Sequence, residues 1–153
     1  KAKERGIHTT LDTSGNPFTE KEPFYSKWKA LMQYTDLILL DIKHVDPEGH
    51  LELTGQPNDN ILAMARELSD MGKPVWIRHV VVPGITFEEA ELTELGHFLK
   101  TLSNMEKLEV LPYHALGKVK YDNLGMDYVL KDTPQLTKEE AKKAEQMIRD
   151  AMS

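Results

Sequence analysis

Four apolar runs of this sequence stop on polar side chains: Leu11-Asp12-Thr13-Ser14-Gly15, Leu39-Leu40-Asp41-Ile42-Lys43, Trp76-Ile77-Arg78-His79 and Leu111-Pro112-Tyr113-His114. Asp41 and Lys43 lie two residues apart, so on a continuous strand both point to one face, where they can bracket a zwitterionic or anionic ligand. A mutual ion pair at a strand end explains the same two residues. Asp12 beside Thr13 sets a carboxylate next to a hydroxyl, a pairing suited to a hard cation or a ligand ammonium; an Asx or capping turn uses the same residues. Arg78 can grip a carboxylate, stack on a planar base or serve a structural salt bridge. His114 can donate or accept a hydrogen bond near neutral pH, and a lone histidine there also fits a structural role. Singly, each residue has a bland explanation. Four at successive run ends point to one shared ligand site.

The elements that must position them follow from the spacing. Asp12, Asp41, Arg78 and His114 are separated by 29, 37 and 36 residues, each gap enough for one strand, one helix and two loops. Buried parallel strands read as apolar runs, and ligands collect beyond their carboxyl ends. Strands are expected over residues 7–11, 37–40, 75–82 and 108–111, and helices over 24–34, 58–71, 88–102 and 137–152. Asn58 or Asp59 caps the second of these helices and Gly72 closes it. Thr137-Lys138-Glu139-Glu140 is a capping-box sequence for the last. Pro47-Glu48-Gly49 and Thr54-Gly55 read as loop, Pro83-Gly84 as a type II turn, and the segment from Pro112 to about Pro134 as a loop long enough to be functional. Four βα units with a parallel sheet make an α/β chain. A closed eight-stranded barrel needs about 250 residues, so the expectation is the C-terminal part of a partial TIM-like barrel, with an open doubly wound sheet as the alternative. Residues 1–153 read as part of one domain.

Composition narrows the function classes. The net charge is −6, with lysines scattered among acidic residues, which argues against nucleic acid as a partner. No apolar stretch approaches the about 20 residues that cross a membrane, and an acidic chain of this kind fits the cytoplasm. There is no cysteine, hence no disulfide, thiolate metal site or cysteine nucleophile within these residues. His8, His44, His50, His79 and His97 show no metal-ligand spacing, and no Walker loop or GxGxxG is present. Met64, Met71, Met147 and Met152, with Trp28 and Trp76, read as core. Lys1 stands in a charged helical segment, Lys1-Ala2-Lys3-Glu4-Arg5, ending at Gly6, so the chain reads as a piece of something longer.

Segments spanning nearly the whole chain carry a family resemblance: Gly6 to Gly15, Asp36 to Lys43, Val75 to Gly84, and Leu111 to Lys118. In their order and residues they closely resemble the C-terminal part of the radical S-adenosylmethionine activases of glycyl-radical enzymes. The WIR-VVVPG and LPYH-LGK stretches favour the pyruvate formate-lyase branch over activases of other glycyl-radical enzymes. The resemblance implies a partial (β/α)6 barrel in which a [4Fe-4S] cluster reductively cleaves S-adenosylmethionine, and the 5′-deoxyadenosyl radical removes hydrogen from a backbone glycine of the partner, pyruvate formate-lyase, in anaerobic metabolism. A flavodoxin or ferredoxin is the implied electron donor. By position, Asp41, Ile42, Lys43 and His114 look like S-adenosylmethionine-binding residues, and Arg78 is a candidate for the same pocket. Asp12, Thr13 and Asp41 resemble ligands of a monovalent cation, to which Leu39 can add its carbonyl.

The family's CxxxCxxC cluster motif and its glycine-rich GGE segment match nothing in this sequence. Without three thiolates these residues cannot hold that cluster, so the chain by itself is expected to be inactive although the parent protein is an oxidoreductase. Residues 7–11 are expected to form an unprotected sheet edge that invites dimerisation or strand exchange. Two rival functions stand beside this one. A TIM-barrel lyase or aldolase would use Lys43 as a Schiff-base amine, a role against which neighbouring Asp41 works. A docking module would hold a protein partner through the loop from Tyr113 to Pro134.

Overall fold

The computed structural model describes residues 1–153. Strands β1 (Thr10–Thr13), β2 (Leu37–Asp41), β3 (Val75–Val81) and β4 (Met105–Pro112) form a single sheet in that order, and each neighbouring pair is parallel. The crossovers are α1 (Phe24–Met32), then α2 (Pro47–Thr54) with α3 (Asp59–Asp70), then α4 (Glu89–Lys100); α5 (Lys118–Leu124) and α6 (Lys138–Met152) follow β4. No helix is long and apolar enough to cross a membrane.

Strand alternation assigns the two faces. Ile38, Leu40, Ile42, Val75, Ile77, Val81, Leu108 and Val110 join the core with Trp28 and Met32 of α1, Met64 and Leu68 of α3, Leu92, Leu95 and Leu99 of α4, and Ala144 and Ile148 of α6. The helices therefore cover one face of the sheet. The alternate residues, Asp12, Leu39, Asp41, Trp76, Arg78 and Glu109 among them, occupy the other face and are only partly buried or exposed.

Four sequence expectations are corrected. The first strand begins at Thr10 rather than Ile7, because its partner begins at Leu37, directly opposite Thr10; Ile7 is left half exposed. Residues 47–54 are a helix, not a loop. Pro47 sits at its first position, where no N–H is required, and Asp46 caps it by accepting from the Gly49 N–H at 2.6 Å. The long segment after β4 contains α5, and it is tied down by the buried Tyr113, whose Oη donates to the Leu130 carbonyl at 3.0 Å. Met71 is exposed, and Trp76 lies on the open face with the Lys107 ammonium 4.6 Å from its ring centre.

β4 begins at Met105, three residues before the expected start, and Asn58 stands at the N-cap of α3 without a side-chain capping bond, its amide being spent on the His44 and Val45 carbonyls. The remaining elements lie close to their expected bounds. Gly84 has the positive φ of 71° that the second central residue of a type II turn requires. The Thr137 capping box is complete, with Thr137 accepting from the Glu140 N–H and the Glu140 carboxylate accepting from the Thr137 N–H.

Candidate functional site

Asp12 is the penultimate residue of β1, Asp41 closes β2, Arg78 lies in the middle of β3 and His114 follows β4. Parallel register places Asp41 directly opposite Arg78 and Asp12 opposite Leu39. The long guanidinium of Arg78 reaches both acids: Nε donates to Asp41 Oδ1 at 2.7 Å, and Nη2 donates to Asp12 Oδ1. The second oxygen of Asp41 accepts from Lys43 Nζ at 2.7 Å. Two acids and two bases thus alternate across three strands in a formally neutral chain. Partial burial works against the charge on Arg78, but the hydrogen bonds and field of Asp41 and Asp12 outweigh it and raise its pKa above the ordinary arginine value.

The remaining site candidates divide between the two faces. Ile42 buries its side chain in the core, so only its backbone is near the charged group. Its N–H donates to the Arg78 carbonyl at 3.0 Å, which continues β2 past Asp41 and puts Asp41 and Lys43 on the same side. The Thr13 hydroxyl accepts from the Gly15 N–H at 3.0 Å and belongs to the turn after β1. His114 does not touch the charged group; its Nδ1 lies 3.2 Å from Gln135 Oε1.

Lys43 and His114 nevertheless line one cavity of about 720 Å³ beyond the carboxyl ends of β2, β3 and β4. Val80, Leu111, Tyr121 and Tyr128 supply much of its wall. A mostly apolar pocket with a few polar groups at its rim is the usual form of a small-molecule site. Burial and the hydrogen bond that its hydroxyl donates to Tyr113 Oη push the Tyr128 phenol up to about 12, so it stays protonated at neutral pH. Sequence reasoning missed Leu53 and Thr54, which also line the cavity, because Pro47-Glu48-Gly49 and Thr54-Gly55 read as loop and hid the helix between them.

Iron–sulfur clusters need thiolates, and this chain has no cysteine; nor do three or more His, Asp or Glu side chains gather as a metal-binding group. These residues do not fit a [4Fe-4S] cluster. The cavity does fit an organic ligand that carries a carboxylate, because two lysines, Lys43 and Lys138, are among its lining residues, Lys43 with its ammonium paired to Asp41.

A parallel α/β sheet with its ligand cavity at the carboxyl edge defines the class, and the comparisons specify it. The Radical SAM superfamily profile matches residues 1–95, and the chain belongs to that superfamily. It is 47% identical over 147 residues to the pyruvate formate-lyase-activating enzyme of Streptococcus mutans, a match covering 96% of this chain and 56% of that protein. It is 52% identical over 130 residues to the enzyme of the same name from Staphylococcus aureus, covering 85% of this chain and 52% of the relative. The chain thus spans about half the length of these curated relatives.

Among solved structures, a domain of pyruvate-formate lyase-activating enzyme from Bacteroides vulgatus superposes with a TM-score of 0.73 at 22% identity, covering 97% of this chain and 80% of that one. A radical SAM methyltransferase from Sphaerobacter thermophilus gives 0.61 at 16% identity, covering 96% and 40%. At those identities the two structures speak for the fold: a partial-barrel α/β architecture.

Proposed function

We propose that residues 1–153 form one wall of the S-adenosylmethionine pocket in a cytoplasmic radical activase that installs a glycyl radical on pyruvate formate-lyase. The observation that carries this reading is the shared cavity of Lys43 and His114 at the carboxyl edge of the sheet, in a chain of the radical SAM superfamily. Lys43 meets the cofactor's carboxylate, His114 its polar groups, and the Ile42 backbone and Asp41 set the position of Lys43. Arg78 belongs to the same pocket as the partner of Asp41. Asp12, Thr13 and Asp41 form the side on which a monovalent cation is held. When bound beside a reduced iron–sulfur cluster, S-adenosylmethionine supplies the radical that removes hydrogen from a backbone glycine. The cluster's thiolates are not among these residues, so the chain by itself does not cleave the cofactor; the electron donor of the whole activase is a flavodoxin or ferredoxin.

The test is calorimetric titration of S-adenosylmethionine into the purified chain. Saturable binding that Lys43→Met weakens about tenfold or more supports the reading, since a charge-assisted hydrogen bond to the carboxylate is worth about 1.5–3 kcal/mol. Binding indifferent to Lys43→Met, or no binding, rejects the assignment. Release of 5′-deoxyadenosine by this chain under anaerobic reduction rejects the expected inactivity.

A further inference from the structure

His79 was dismissed by its spacing, yet it is one of the few polar side chains buried in the sheet. It follows Arg78 on β3, points to the opposite face, and is 3% exposed. Its Nδ1 lies 2.9 Å from the carbonyl oxygen of Ile42. That carbonyl stands one residue beyond the end of β2, between the two candidate ligand residues Asp41 and Lys43.

The contact satisfies a backbone carbonyl that the sheet leaves over. The β2–β3 ladder ends with Asp41 opposite Arg78. The Ile42 N–H still finds the Arg78 carbonyl at 3.0 Å. The Ile42 carbonyl is bonded instead by a side chain, that of His79. After Lys43, the carbonyls of His44 and Val45 are bonded by another buried side chain: Asn58 Nδ2 donates to them at 3.1 and 2.8 Å. Lys43 therefore sits between two buried clamps, His79 before it and Asn58 after it. The clamps fix the backbone from which its ammonium reaches Asp41 and the cavity.

The chemistry of the ring fits the role. Burial pulls the pKa of His79 down to about 4, so at neutral pH the imidazole carries a single proton. A carbonyl oxygen only accepts, so that proton belongs on Nδ1. The Thr86 backbone is the other polar group beside the ring, but Nε2 makes no hydrogen bond, which leaves the 2.9 Å Nδ1 contact with Ile42 as the side chain's one close polar bond.

We propose that His79 is a positioning residue of the cofactor site: its Nδ1–H, donated to the Ile42 carbonyl, extends β2 by one residue and aims Lys43 at the carboxylate of S-adenosylmethionine. The proposal rests on the reading of Lys43 given above. It separates from a purely structural role because it concerns one end of the ligand only. S-adenosylhomocysteine carries the amino-acid carboxylate, and 5′-methylthioadenosine lacks it. A positioning defect weakens the first and spares the second.

The experiment measures the affinity of both compounds for the wild-type chain and for Lys43→Met, His79→Phe and His79→Asn, together with the ¹⁵N spectrum of the histidine rings near pH 7. His79→Phe fills the volume without a donor; His79→Asn keeps an N–H near the place of Nδ1. The expected result is a wild-type preference for S-adenosylhomocysteine that Lys43→Met removes. His79→Phe cuts that preference about fivefold to tenfold with 5′-methylthioadenosine affinity unchanged, as loss of one hydrogen bond implies, and His79→Asn restores most of it. Equal weakening of both ligands by His79→Phe, or an intact preference, overturns the positioning role.

No preference in the wild-type chain, or one that Lys43→Met leaves intact, overturns the reading of Lys43 and the aim assigned to His79 with it. The ¹⁵N spectrum tests the clamp without any ligand and without any variant having to fold. A protonated Nδ1 with a bare Nε2 is expected for His79, and the opposite tautomer removes the donor and overturns the proposal outright.

Discussion

Asp41 and Arg78 face each other across neighbouring strands, joined by a 2.7 Å hydrogen bond from Nε to Oδ1, and the same guanidinium also holds Asp12 one strand further away. Arg78 thus bridges two carboxylates on one face of the sheet and, with Lys43 on the second oxygen of Asp41, balances their charge. Arg78→Met leaves both without that partner. The groups are partly exposed, so screening limits the cost to about 1–2 kcal/mol of stability. The clearer signature is ionic. In thermal melts, potassium chloride should stabilise the Met variant more than the wild type, measured against tetramethylammonium chloride at equal ionic strength. Equal potassium effects in the two proteins would show that Arg78 does not hold the cation-binding charge in check.

Buried His79 makes stability depend on pH. Its folded pKa of about 4 lies below the unfolded value near 6.5, so between those values the unfolded chain binds more protons than the folded one. Stability contributed by the neutral ring is complete above pH 6.5 and declines as the pH falls towards 4, by on the order of 3 kcal/mol in all. Urea unfolding at pH 7, 6, 5 and 4.5 should show this decline, and His79→Phe should flatten the part that belongs to the ring. An unchanged slope in the Phe variant assigns the decline to other groups.

The close approach of α4 to α6 depends on Gly96. A Cβ built there would stand 2.6 Å from the Ala151 Cβ and 2.6 Å from the Ile148 carbonyl oxygen, and the second obstacle is backbone that cannot rotate away. Gly96→Ala gains helix propensity, worth roughly 1 kcal/mol, but forces the helices apart. Overpacking of this kind costs about 1–3 kcal/mol, so the net expectation is a Tm lowered by several degrees, on a scale of roughly 2–4 °C per kcal/mol. A melt at or above the wild-type temperature would mean that α6 shifts freely.

Which parts of this arrangement were legible depends on whether local sequence decides them. Charged residues that interrupt apolar runs are visible because a buried parallel strand rarely carries charge; Asp41 ends β2 and Asp12 stands one residue before the end of β1, whereas Arg78 sits in mid-strand on the open face. The joining of Asp12 to Arg78 was not visible, since it depends on the register of three strands and the reach of one side chain. Pro47 misled because proline marks both loops and first turns of helices, and only the cap at Asp46 distinguishes them. Trp76 looked like core by composition, but its place in the alternation of β3 turns it to the open face. His79 carried no motif at all. Its role arises from a carbonyl left over where one strand outruns its ladder, a quantity no spacing records.

The two edges of the sheet are defended unequally. β4 carries Glu106, Lys107 and Glu109, a run of charge that discourages pairing with another chain. β1 offers Thr10, Leu11, Asp12 and Thr13, with one charge that Arg78 already engages, and no strand pairs with its outer side. Association through β1 is therefore expected at high protein concentration, as a dimer or an exchanged strand. Light scattering across a hundredfold concentration range should show the mean mass rising. Leu11→Lys should suppress the rise, because a charge on a short edge strand blocks edge-to-edge pairing. Leu11 is only partly buried against the core, which limits what the substitution costs in folding. The matching change on the other edge, Leu111→Lys on the exposed side of β4, should leave the association intact. A mass that stays monomeric throughout, or one abolished by Leu111→Lys and not by Leu11→Lys, places the contact elsewhere or removes it.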